Sequence, residues 1–296
     1  VLLSTFNFDQ MKRWRWVIAL VGVFLLGDRF LGGALLNVLS ESRFRYSRMY
    51  RGEAEAALLL VGNSRGLAFY QPYIAMTAGK TTFNMSYNGL PVDLAKVLVQ
   101  DYLDRYQTTE RMVVDITMCD RQNDQLLAGF LPYGPFSERL DALIRRKLDW
   151  VWWAGRVSWL FRANNEVFQR GLYYRKQSDE DWLLDRVIQP EQADSWLSNP
   201  ITIGPDDYLV PQLAEMVAFA QGKGVQVYLV IGPYYPGYQV QRLDALKQVV
   251  EEQTGLPVYD YRSAIENPMW FGDLSHLNKS GSRAYIDLLR KDGVLP

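Results

Sequence analysis

Hydrophobic and polar positions divide the chain into three stretches with different periods. Residues 16–27 carry no charge and are almost wholly apolar. Twelve helical residues reach only about 18 Å. Continuation through Asp28 and Arg29 to Leu39 gives a helix long enough to cross a bilayer. The two charges cost about 2.5–3.5 kcal/mol each at the centre of an inserted helix; being adjacent, they are expected to neutralise one another or to meet a partner. No small-x-small cleavage pattern follows, so 14–39 reads as a retained membrane anchor, with a buried or interfacial helix as the alternative. Met11 followed by Lys12 and Arg13 reads as a natural start. Basic residues flank both ends of the segment, so charge does not decide its orientation.

The second stretch alternates short apolar runs with segments of helical period. Runs at 58–61, 81–86, 112–117, 225–231 and 258–261 read as strands. The first, Leu58 to Val61, is continuously apolar, as in strands covered on both faces. Segments 67–78, 91–106, 206–221, 242–254 and 280–290 read as helices. Pro91 sits at the first-turn position that suits proline. This alternation predicts an α/β domain of three α/β/α layers around a mostly parallel five-stranded sheet.

The third stretch, 130–205, interrupts the alternation. Residues 140–161 look like one helix carrying Trp150, Trp152, Trp153 and Trp159, followed by Tyr173, Tyr174, Trp182 and Trp196. It is expected to be a helical insertion over the carboxyl edge of the sheet, where loops carry specificity. It reads either as a lid or glycan-binding wall or as aromatics packing the insertion down. The expected organisation is a tail at 1–13, the anchor at 14–39, a linker at 40–54 and a catalytic domain at 55–296.

Composition narrows the function without choosing it. The net charge of −1 shows no basic excess, which argues against nucleic acid as a partner. One histidine and one cysteine, Cys119, argue against a zinc site of the usual nitrogen and sulfur type and exclude an intramolecular disulfide. No cofactor is expected. The 9 Trp and 18 Tyr suit membrane interfaces and sugar rings alike, so they do not decide between them.

The candidate chemistry lies at the end of the first strand. Gly62 and Gly66 bracket a tight turn that holds Asn63, Ser64 and Arg65. Ser64 falls at the carboxyl end of the strand, where open α/β sheets place ligands. A serine becomes a nucleophile when a base reaches it, and the chain's one histidine is His276. Asp273, three residues before it, can fold back onto one ring nitrogen, fixing the tautomer and leaving the other nitrogen for Ser64. Asp115 and Asp120 fall near the same rim and read as solvated loop acids, with a role in orienting substrate as the alternative.

Gly-Asn-Ser-Arg after the first strand, with Asp-x-x-His before the last helix, resembles the SGNH (GDSL-type) hydrolase superfamily. Within it, the chain resembles the membrane-anchored branch that handles acyl groups on cell-surface polysaccharides. The resemblance implies a flavodoxin-like fold, a Ser64–His276–Asp273 triad and acyl transfer through an acyl-serine. It implies oxyanion donors at Gly89 and Ser64, with Asn88, Asn63 and Arg65 as further oxyanion or substrate contacts. The family's Gly-x-Asn-Asp after the third strand is absent; Asn88 or Asn123 is the candidate replacement. The acceptor is a glycan in an O-acyltransferase or water in an esterase, and a noncatalytic scaffold is the third reading. The implied partners are an acyl donor, a glycan acceptor and a multi-pass membrane O-acyltransferase, and the implied setting is the inner membrane with the catalytic domain outside the cytoplasm.

Overall fold

The computed structural model describes residues 8–183 and 185–296, with side chains from residue 14 onward. In chain order the helices are α1 (Phe8–Ser40), α2 (Arg45–Arg51), α3 (Gln71–Ala78), α4 (Val92–Arg105), α5 (Asp124–Gly129), α6 (Glu138–Lys147) and α7 (Asp149–Val157). There follow α8 (Trp159–Arg162), α9 (Glu166–Tyr173), α10 (Pro190–Leu197), α11 (Leu209–Gly222), α12 (Leu243–Thr254) and α13 (Lys279–Lys291). The strands are β1 (Leu58–Val61), β2 (Thr82–Asn84), β3 (Arg111–Asp115), β4 (Ile201–Thr202), β5 (Gln226–Ile231), β6 (Val240–Gln241) and β7 (Val258–Asp260).

Five strands form one parallel sheet in the order β2-β1-β3-β5-β7. The chain moves from β1 outward to β2, then crosses to the other side of β1 for β3. The carboxyl ends of β1 and β3 therefore flank the point where the winding reverses, and a crevice opens there. Alternate side chains of the central strands enter two cores. Leu59, Val61, Met112, Val114, Leu229 and Ile231 share a cluster with apolar residues of α4, α11 and α12. Leu58, Leu60, Val113 and Val230 share the opposite cluster with α3 and α13. Burial on both faces is why the Leu58 to Val61 run shows no polar alternation.

Several segments differ from the sequence expectation. The helix expected over 140–161 is broken into α6, α7 and α8. Leu148 leaves the helical region at φ −134°, and Ser158 is extended and caps α8 by accepting from the Phe161 N–H. Such local capping competes with helix continuation. The linker expected over 40–54 instead contains α2, whose Tyr46 and Met49 are fully buried. Its Arg45 is also buried, pairing with Asp179 at 3.0 Å and donating to the Ser86 carbonyl at 2.6 Å. The two-stranded parallel ribbon β4–β6 is too short to leave a periodic signal.

Helix α1 contains a segment, Trp14–Ser40, long and apolar enough to cross a membrane. Of the tail expected over 1–13, residues 1–7 lie outside the described residues and the helix is already formed from Phe8. Its first half is exposed, with Trp16 at 79% and Leu26 at 72%. Its second half packs on the insertion, where a side chain at Gly32 would collide with Trp159. Asp28, the costly charge of the sequence reading, is buried. It accepts from the Ser158 hydroxyl at 2.5 Å and from the Trp159 N–H at 2.7 Å, which satisfies the start of α8. Arg29 donates to the Arg156 carbonyl at 2.9 Å.

Candidate active site

The chain turns sharply after β1 because two glycines meet. A Cβ on Gly62 would lie 2.8 Å from the Gly66 Cα, and one on Gly66 would lie 2.3 Å from the Ser86 hydroxyl oxygen. Only glycine permits this approach. A short 3-10 turn, Ser64–Ala68, follows. Asn63 caps it by accepting from the Arg65 N–H at 2.9 Å, and its amide donates to the Thr117 hydroxyl at 3.1 Å. Asn63 thus fixes the backbone that presents Ser64, with one amide hydrogen left over beside the smaller cavity next to Ser64.

The other half of the site comes from the segment before α13. Asp273 accepts from the backbone N–H groups of Ser275 at 2.8 Å and His276 at 3.0 Å, closing a tight turn. The same carboxylate meets His276 Nδ1 at 2.8 and 3.0 Å. His276 Nε2 lies 2.8 Å from Ser64 Oγ. An ionised carboxylate only accepts, so Nδ1 carries the proton and Nε2 presents its lone pair to the Ser64 hydroxyl. Burial alone would raise the Asp273 carboxyl. The bonds from the imidazole and from the two backbone N–H groups outweigh it and hold the group below its ordinary value. Asn278 secures the turn by capping α13 and donating to the Met269 carbonyl at 2.8 Å.

Arg65, expected among the substrate contacts, turns its buried guanidinium into the protein. It donates to the carbonyls of Ser275 at 2.7 Å, Gly232 at 2.5 Å and Pro233 at 3.1 Å, and lies 3.6 Å from the centre of the Tyr234 ring. It therefore ties the residue after Ser64 to the residue before His276. Burial pushes the Tyr234 phenol up to about 12, against the lowering effect of the Arg65 charge. Asp115 is likewise no solvated loop acid. It is buried, accepts from the Thr117 N–H at 2.9 Å and hydroxyl at 2.5 Å, and lies 3.9 Å from Arg65. Asp120 accepts from the Gly204 N–H at 3.2 Å and pairs with Arg121 at 3.0 Å.

Gly89 lines the cavity with Ser64 and has φ +68°, a conformation that disfavours any side chain. Its carbonyl accepts from the Asn123 amide at 2.9 Å. Among the described residues neither the Ser64 nor the Gly89 N–H has a protein acceptor, as an oxyanion site requires. Asn88 is exposed on the same rim. Asn123, its weaker alternative, spends its amide oxygen capping α5 and one donor on Gly89.

The cavity containing Ser64 and His276 has a volume of about 550 Å³. Its far wall belongs to the insertion: Arg170, Tyr174, Trp182, Leu183 and Arg186. Trp182 stacks on Tyr174 at 5.5 Å and lies 4.3 Å from the Arg45 guanidinium. Arg186 stands 3.8 Å from Asp273. The two arginines, Arg170 and Arg186, escape sequence reasoning because no local pattern marks them; they reach the site through the packing of the insertion. A smaller cavity of about 350 Å³ opens on the other side of Ser64, toward Thr117 and Asn123.

No family model matches the chain, and no curated protein matches it. Among solved structures, the fold is similar to that of a GDSL-like lipase from Bacteroides thetaiotaomicron VPI-5482, with a TM-score of 0.41 and 11% sequence identity over 85% of this chain and 98% of that one.

Proposed function

We propose that the chain is a membrane-anchored serine acyl-transfer enzyme of the SGNH type. The observation that carries the reading is the hydrogen-bonded series from Ser64 Oγ through His276 to Asp273, with both links at 2.8 Å. His276 Nε2 removes the hydroxyl proton as Ser64 Oγ attacks the acyl carbonyl. The N–H groups of Ser64 and Gly89 bind the developing oxyanion. Asp273 stabilises the imidazolium, which returns its proton to the leaving group. In the second half His276 takes a proton from the acceptor as its oxygen bonds to the acyl carbon; the acyl–serine bond breaks and Ser64 Oγ takes the proton back from His276. Arg65 acts as a positioning residue, since it holds the His276 turn against the Ser64 turn.

The acceptor we favour is a sugar hydroxyl of a cell-surface polysaccharide and the acyl group an acetyl, delivered with a multi-pass membrane O-acyltransferase as partner. The setting is the inner membrane, spanned by α1, with the domain outside the cytoplasm. Support comes from the exposed apolar half of α1 and from the aromatic wall of the Ser64 cavity. Water as acceptor would make the protein an esterase; the partly exposed His276 favours that as the second reading. Labelling with a fluorophosphonate probe tests the reading: Ser64 should be modified, and the Ser64→Ala protein should not. Absence of labelling on folded wild-type protein would leave a noncatalytic scaffold as the answer.

A further inference from the structure

The insertion carries a second cavity that the acyl-serine chemistry leaves unused. It holds about 430 Å³ between α5, α7 and the segment joining α8 to α9. It meets the Ser64 cavity at Asn88, which lines both, and the cavity on the other side of Ser64 at Asn123.

Its lining mixes one open aromatic platform with uncommitted amides. Trp150 is 69% exposed and meets Phe161 at 6.1 Å with a 64° interplanar angle, which leaves an indole face open. The side chains of Asn88, Gln125 and Asn164 line the same space. Among the described residues none of these three amides bonds to the protein, whereas the neighbouring Asn165 is spent on capping α9. Each free amide offers two donors and one acceptor. A sugar ring needs both kinds of partner, because its hydroxyls donate and accept, and its C–H faces stack on aromatic rings. A fatty chain would make no use of these exposed amides. An anionic ligand would meet the Glu166 carboxylate in the same lining.

We propose that this cavity is the acceptor subsite for a neutral carbohydrate chain, one ring stacked on Trp150 and the chain passing Asn88 so that a neighbouring ring presents a hydroxyl at Ser64. The assignment rests on the acyl-serine reading of Ser64. In the transfer, the sugar oxygen attacks the acyl carbon while its proton passes to His276 Nε2. The bond from that carbon to Ser64 Oγ breaks, and Oγ takes the proton back. The products are the sugar ester and free enzyme, with nothing oxidised or reduced.

Calorimetric titration of the full-length Ser64→Ala protein in detergent with chitotetraose and cellotetraose tests the subsite. At least one should bind. Adding Trp150→Ala should weaken that binding by about tenfold or more, equivalent to about 1.4 kcal/mol, and Asn164→Ala by a smaller factor. Adding Trp153→Ala, whose ring is also exposed on α7 but lines no part of the cavity, should leave affinity unchanged. The subsite is overturned if neither tetrasaccharide binds, or if the Trp150 and Trp153 variants lose affinity alike. Fluorophosphonate labelling of wild-type protein separates the two failures. Labelled Ser64 without sugar binding rejects the subsite alone; unlabelled Ser64 rejects the acyl-serine reading beneath it.

Discussion

Around Ser64, the two turns that carry the reacting side chains are each closed by a neighbour near in sequence, and one buried arginine joins them. Asn63 caps the Ser64 turn, Asp273 closes the His276 turn, and Arg65 joins the two through the Ser275 carbonyl. The insertion facing them is held by residues far apart in the chain. Asp28 of α1 caps α8, Arg45 of α2 pairs with Asp179, and Trp182 stacks on Tyr174 and Phe44. The first region fixes atoms to within a hydrogen-bond length, as a reacting group needs. The second supplies walls and surface area, where a wide contact matters more than one distance. The comparison predicts that damage to the first region falls on the chemical step, and damage to the second on stability and substrate fit.

The largest expected effect is at the centre of the first region. Ser64→Ala and His276→Ala should each lower ester turnover by on the order of 10⁴-fold or more, and the double variant should be hardly worse, because residues acting in one step are non-additive. The fold should survive, since Ser64 packs little. Steady-state kinetics on a p-nitrophenyl ester, with circular dichroism as the folding control, decides this.

Asp273→Asn should cost up to about 10⁴-fold by disturbing tautomer and charge. The pH dependence sharpens the point. Asp273 is held below its ordinary value in the folded chain, so it remains charged into mild acid. A protonated His276 cannot act as base, so activity should fall as pH falls. The same shift means that Asp273 contributes stability above the carboxyl's unfolded value, and that this is lost as pH drops through the folded value. Thermal unfolding of wild type and Asp273→Asn across the acid range should therefore converge at low pH.

Arg65→Lys should cost roughly 10²-fold in kcat with KM little changed. A lysine cannot reproduce the planar fork that reaches three carbonyls, and a shift of about 1 Å in the His276 turn is enough for a loss of that size. If the loss appears in KM instead, Arg65 contacts substrate after all.

The smallest effect belongs to the second region. Asp28→Ala takes the acceptor from the Trp159 and Leu160 N–H groups, leaving Ser158 as the remaining cap of α8, and should destabilise by about 1 kcal/mol, read as a fall of roughly 2–4 °C in Tm for a domain of this size. Ester turnover per folded molecule should not change. A loss of turnover would show that the insertion sets the geometry at Ser64 and would break the comparison.

The same division explains what was legible in the residues. The central β1, buried on both faces, announces itself as an unbroken apolar run, and all five strands stand within a few residues of their expected places. The Ser64 turn and the Asp273–His276 pair are short-range features carried by glycine contacts and an Asp-to-N–H turn, so their spacing in sequence is their spacing in space. Arg65 illustrates the limit. Its charge beside the serine suggests a ligand contact, yet its partners are carbonyls 167 and 210 residues away, which no local pattern reveals. The burial of Asp115 was hidden for the same reason. In the insertion, the tryptophans signal burial or binding without saying which: Trp152 is buried while its neighbour Trp153 is exposed. The difference arises from the helix face: Trp152 packs into the core of the molecule, flanked by Arg145 of α6 and Arg156 of α7 at 4.9 and 4.6 Å, and Trp153 lies beside it on the exposed side.

The central claim, that His276 activates Ser64 as an acyl acceptor, is tested most directly by the pre-steady-state burst of p-nitrophenol from p-nitrophenyl acetate. It would be followed from mild acid to neutral pH in wild type and His276→Ala, with mass spectrometry locating the acetyl group. The account predicts an acetylated Ser64 in the wild type, a burst rate that rises with pH, and no burst in His276→Ala. A His276→Ala protein that acetylates Ser64 at the wild-type rate across that range would contradict it.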